Sequence, residues 1–105
     1  MGDEVSDDET LWRRVGRLNI KPDGTPDSVA FRSAELSVHR KHLTTLDAVR
    51  DEYPDFAVFE FTAREARDAG VTLKPDPPPP DHALACVSTS KKAKRLRDIA
   101  RLVVA

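Results

Sequence analysis

Five of the six residues from Pro75 to Pro80 are proline, and this run limits what the rest of the chain can build. Proline lacks a backbone N–H and fixes φ, so the segment suits neither a helix interior nor a central strand and is expected as an extended polyproline connector. The core must come from the elements on either side, and 105 residues supply one domain and no more.

Before the prolines, Leu11 to Ile20 reads as an amphipathic strand, with Trp12, Leu18 and Ile20 on one face and Arg13 and Arg17 on the other. Lys21 to Asp27 stacks turn residues and is expected as a surface loop, followed by a strand at Leu36 to Arg40. Thr44 or Thr45 can cap a helix whose stripe is Leu46, Val49 and Tyr53 and which Pro54 ends. Phe56 to Phe61 is apolar at five of six positions, the pattern of a strand buried on both faces. Thr62-Ala63-Arg64-Glu65 has the form of a capping box, and Gly70 can stop the helix over 63–69, whose inward stripe is Ala63, Ala66 and Ala69. Val71 to Lys74 reads as an edge strand.

Beyond the prolines, Ala83 to Val87 is expected as a second central strand. Ser88, Thr89 or Ser90 then caps a last helix with Ala93, Leu96, Ala100 and Val103 on its buried side. The sum is an α+β fold over 10–105: a small mixed sheet with two or three helices packed mainly on one face. Residues 1–9 are expected to form a disordered acidic arm.

That arm carries Asp3, Glu4, Asp7, Asp8 and Glu9, although the whole chain is nearly neutral, with 17 Lys plus Arg against 18 Asp plus Glu. The opposite charge gathers at the other end, where Lys91, Lys92, Lys94, Arg95, Arg97 and Arg101 face one acid, Asp98. The two runs can pair with each other or each meet an outside partner. Cys86 is the only cysteine, so no disulfide closes within the chain, and a reducing, cytoplasmic setting is expected. No run approaches the roughly 18 apolar residues of a membrane span.

Chemistry is sparse. His39 and His42 fall at a strand end and in the next loop, and His82 and Cys86 are too far apart along a strand to share one metal, so no metal or cofactor is expected. His82 stands where the proline run meets a buried strand, a position from which an imidazole can reach a cleft. With Arg13, Arg14 or Arg32 holding a phosphate, and Ser37 or a carboxylate completing the site, His82 would suit phosphodiester chemistry. Lys91, Lys92, Lys94 and Arg95 would suit contact with nucleic-acid phosphates. Because Asp81, its neighbour in sequence, would point to the opposite side of an extended chain and leave His82 without a second acid–base partner, the first expectation is a small accessory protein that binds a protein partner. The nucleic-acid contact and the His-dependent enzyme are its alternatives.

Leu11-Trp12-Arg13-Arg14, Ala30-Phe31 with Leu36-Ser37-Val38, Phe61-Thr62-Ala63 with Ala66-Arg67, and Pro80-Asp81-His82-Ala83-Leu84 with Lys91-Lys92 form a recurring pattern. Through them residues 11–104 resemble a set of small uncharacterised bacterial proteins. The resemblance implies a bacterial, cytoplasmic, single-domain protein and no particular activity. The chain differs from that pattern in carrying Arg64-Glu65 and Ser88-Thr89-Ser90 where a glycine is common, which speaks against phosphate-binding loops at those points.

Overall fold

A computed structural model describes residues 4–104. Strands β1 (Thr10–Gly16), β2 (Ser33–Arg40), β3 (Phe56–Thr62), β4 (Thr72–Pro75), β5 (His82–Val87) and β6 (Arg101–Val104) form one sheet in the order β4-β5-β2-β1-β3-β6. Helices α1 (Leu46–Glu52), α2 (Ala63–Asp68) and α3 (Ser90–Ile99) complete an α+β fold. Every strand pairing is antiparallel, so the expected mixed sheet is corrected. The reason is the place of β1: it pairs with both β2 and β3, so these two parallel strands, joined through α1, never become neighbours.

Helices α2 and α3 cover one face, where Leu11, Phe31, Phe61 and Leu96 are fully buried, while α1 covers a smaller cluster of Trp12, Val49 and Val58 on the other. The amphipathic reading of β1 is therefore corrected: both of its faces are covered, Trp12 entering the smaller cluster as expected. Leu11 and Val15 point into the main core, Arg13 shares their face, and Leu18 is wholly exposed past the end of the strand. Arg13 is tolerated there because its Nε donates to the Ala30 carbonyl at 3.0 Å and its Nη1 to the Ser37 carbonyl at 3.1 Å. Burial, with Arg14 beside it, lowers the Arg13 pKa to about 10, which leaves the guanidinium charged at neutral pH.

Local signals are realised closely at α1 and α2. Thr45 caps α1, its hydroxyl accepting from the Ala48 N–H at 3.1 Å. Thr62 Oγ1 accepts from the Glu65 N–H at 3.1 Å while Glu65 Oε1 accepts from the Thr62 N–H at 2.8 Å, which completes the capping box. Gly70 follows at φ +87°, in the left-handed region that favours glycine. β5 is buried on one face only, through Ala83, Ala85 and Val87, so His82, Leu84 and Cys86 are half-buried on the other.

The acidic arm and the C-terminus depart further from expectation. Residues 1–3 lie outside the described residues, but the disorder expected of 1–9 does not extend to the segment next to β1. Val5 is buried in the core, and the carbonyls of Glu9 and Asp7 accept from the Ala63 and Arg64 N–H groups at 2.9 and 3.0 Å. These donors belong to the first turn of α2, where a helix has no internal acceptors for them. Glu9 also meets Arg40, and Asp7 meets Arg67 at 2.6 Å, so the arm is held by bases well away from the C-terminal run. That last run ends its helix at Ile99, because Ala100 is extended at ψ 141° and Arg101–Val104 pairs with β3. β3 would otherwise show an open row of backbone donors and acceptors, and the β-branched Val103 and Val104 favour the strand that closes it.

Candidate functional site

The register of the sheet creates a cleft that the linear sequence does not display. His39 on β2 lies directly opposite His82 on β5 and directly opposite Trp12 on β1. Cross-strand partners share a face, and side chains two residues apart along a strand share it too. Ser37, His39, His82 and Arg14 consequently line one side of the sheet. The C-terminal end of α1 and the proline loop rise around them, enclosing a cleft of about 420 Å³. The loop is a β4–β5 connection, closed by the Asp76 N–H donating to the His82 carbonyl at 2.9 Å. Its closure sets Asp76 beside His82.

Two imidazole–carboxylate pairs result. His39 Nδ1 is 2.7 Å from Asp81 Oδ2, and both residues are buried. An ionised carboxylate only accepts, so Nδ1 carries the proton and Nε2 of the neutral ring is left as an acceptor. Burial is the main force lowering the His39 pKa below its ordinary 6.5, and the Arg14 charge adds to it; Asp81 and Glu52 pull the other way without restoring it. His82 Nδ1 lies 3.0 Å from Asp76 Oδ2 and 3.1 Å from the Asp76 carbonyl, which leaves its Nε2 for other contacts.

Arg14 completes the wall. Its guanidinium carbon stands 3.7 Å from the centre of the Tyr53 ring, and that ring is 6.3 Å from the His39 ring. Among the described residues two buried side-chain polar atoms have no hydrogen-bond partner, Arg14 Nε and His39 Nε2. Both belong to residues of this cleft. One is a donor and the other an acceptor, and each costs about 1–3 kcal/mol while unpaired.

Of the residues expected to carry chemistry, His82, Arg14 and Ser37 meet here, and two do not. Arg13 is turned to the opposite face and held by carbonyls, while Arg32 lies beside α3 with its Nη1 donating to Ser90 Oγ at 3.1 Å. Lys91, Lys94 and Arg95 are exposed on α3, across the sheet from the cleft. His39, Asp81, Asp76 and Tyr53 were not singled out by the sequence as members of one site. The alternation of Ser37 and His39 marks their common face, but the pairing of His39 with Asp81 spans 42 residues and depends on the β2–β5 register. Among the described residues no three His, Cys, Asp or Glu side chains converge in a way that would hold a metal ion, and no helix is long and apolar enough to cross a membrane.

No family model matches the chain, and neither the curated proteins nor the solved structures contain a detectable match.

Proposed function

We propose that the protein is a small acid–base enzyme acting on a phosphodiester-type substrate in the cleft between α1 and the proline loop. One observation carries the reading: Arg14 and His39, each with a buried side-chain nitrogen that has no partner, line the same cleft. Both nitrogens are closed to solvent, so a phosphate ester meets them only as the two side chains turn into the cleft, its anionic oxygens then facing the guanidinium while the attacking hydroxyl or water gives its proton to the imidazole. His39 is the base, kept in the Nδ1–H form by Asp81, and takes the nucleophile's proton on Nε2. Arg14 holds the phosphoryl oxygens and stabilises the charge that builds on them. His82, its Nδ1–H held by Asp76, delivers the Nε2 proton of its imidazolium form to the leaving oxygen and is left as the neutral ring. Ser37 lies on the same wall, two residues before His39, where its hydroxyl can bond the substrate.

The wild-type protein is expected to hydrolyse bis(4-nitrophenyl) phosphate with turnover that saturates in substrate. Absence of both turnover and phosphate-ester binding at millimolar substrate overturns the reading. A cytoplasmic location belongs to the same proposal and is supported by the single free cysteine.

A second reading, a protein-binding accessory, is supported by Leu18, which is fully exposed in one shallow depression with Phe56, itself 37% exposed. Purification of the tagged chain from its native host separates the two: a stoichiometric protein partner supports the accessory role, and a lone monomer removes it.

A further inference from the structure

A basic surface lies on the other side of the sheet. α3 turns Ala93 and Leu96 into the core and leaves Lys91, Lys94 and Arg95 outside. Lys94 and Arg95 stand three and four residues beyond Lys91, each about 5–6 Å from it on the exposed side of the helix. Neither they nor Lys92 meets an acidic side chain among the described residues, whereas Arg97 is taken by Asp98 and Arg101 by Glu65. Arg32, bonded to Ser90 Oγ, adds a further base to the same surface.

This arrangement runs against the helix's own electrostatics. The first turn of α3 contains no acid, so Lys91 and Lys92 sit at the positive end of the helix dipole with nothing to offset them. The acids of the N-terminal arm do not supply the offset either, because Glu9 is held by Arg40 and His42, and Asp7 by Arg67. Among the described residues no acid of the arm forms an ion pair with a base of α3, Asp8 accepting instead from the Ser6 hydroxyl. The stripe ends in one exposed acid, Asp98, four residues after Lys94 and bonded to Arg97, and over the first two turns before it the bases have no offset.

We infer that the exposed face of α3, together with Arg32, docks on the phosphate backbone of a nucleic-acid duplex without reading its bases. A duplex offers closely spaced phosphates along a firm edge, and charge complementarity is all that this face provides. Its stripe exposes no large apolar side chain, so it has nothing to insert into a bilayer. The inference stands apart from the cleft, since the two surfaces lie on opposite sides of the sheet.

The test is fluorescence anisotropy of a labelled 20-base-pair duplex against salt. Four contacts predict a slope of log Kobs on log salt of about −3 to −4, and a loss of roughly 100-fold in affinity between about 50 and 200 mM. Changing Lys91, Lys94 and Arg95 together to glutamine keeps good helix formers at exposed positions, and should flatten the slope by roughly 2–3. No binding at low salt overturns the inference. So does unchanged binding by the triple variant, weakening by Arg14→Gln in its place, or capture by anionic phosphatidylserine vesicles without any capture by the duplex.

Discussion

Replacing Arg40 by methionine is expected to lower the free energy of unfolding by roughly 3–5 kcal/mol, a large part of what a domain of this size possesses. Arg40 and Glu9 are almost entirely shielded from water, with side chains 4% and 9% exposed. The guanidinium grips the carboxylate with two bonds, Nε to Oε1 at 2.8 Å and Nη2 to Oε2 at 2.9 Å. Methionine fills much of the volume but leaves the Glu9 charge buried without its counterion, and the arm from Val5 to Glu9 loses its main tether. Glu9→Gln in the same chain removes that stranded charge, so the double variant should recover a substantial part of the loss in urea titrations at pH 7.

The same pair gives the acid limb of stability. Burial pushes the Glu9 carboxyl up, but the Arg40 hydrogen bonds, the Ser6 N–H and the charges of Arg40 and His42 outweigh it and hold the group below its ordinary 4.5. Glu65 is likewise held low, foremost by its hydrogen bonds from Arg101. A carboxyl more acidic in the folded than in the unfolded chain stabilises the fold above the unfolded value, and the contribution disappears as pH falls through the folded one. Unfolding should therefore become easier below about pH 4.5, and the Arg40→Met, Glu9→Gln variant should show a shallower decline.

His39→Asn is expected to reduce phosphodiester turnover by about 10²–10⁴-fold while the melting temperature moves by only a few degrees. Asparagine keeps an N–H that can donate to Asp81, so the buried carboxylate retains a partner, but no atom remains that can take up a proton. The pH profile separates loss of a base from a general disturbance. Because His39 acts as a neutral base with its pKa below 6.5, wild-type activity should persist below pH 6.5 and fall only as the ring takes its proton. The sign for stability follows the same proton: the unfolded chain binds it first, so the His39 contribution is complete above pH 6.5 and diminishes as pH falls below that value.

Features decided within a few residues were legible in the sequence. The capping box at Thr62 and Glu65, the left-handed Gly70 and the Thr45 cap each depend on local backbone chemistry. Features decided by an encounter between distant segments were not. The periodicity of the last twelve residues suits a helix through Val103, yet the open edge of β3 takes Arg101–Val104 into the sheet. In β1 an alternation that fits either face was settled by two carbonyls that make room for Arg13 in the core. The cleft depends on the same kind of encounter. His82, Arg14 and Ser37 drew notice by residue type and position, but His39 and Asp81 acquire their chemistry only when β2 pairs with β5.

The most direct test is the imidazole ¹H–¹⁵N spectrum of His39 in the wild-type protein, recorded against pH and against added dimethyl phosphate. The expected spectrum shows a neutral ring at pH 7 with its proton on Nδ1, a titration midpoint below 6.5, and shifts of both His39 Nε2 and Arg14 Nε as the phosphate ester saturates the cleft. A ring protonated on Nε2, or resonances of His39 and Arg14 that stay unmoved at saturating dimethyl phosphate, would contradict the assignment of this cleft as the site of function.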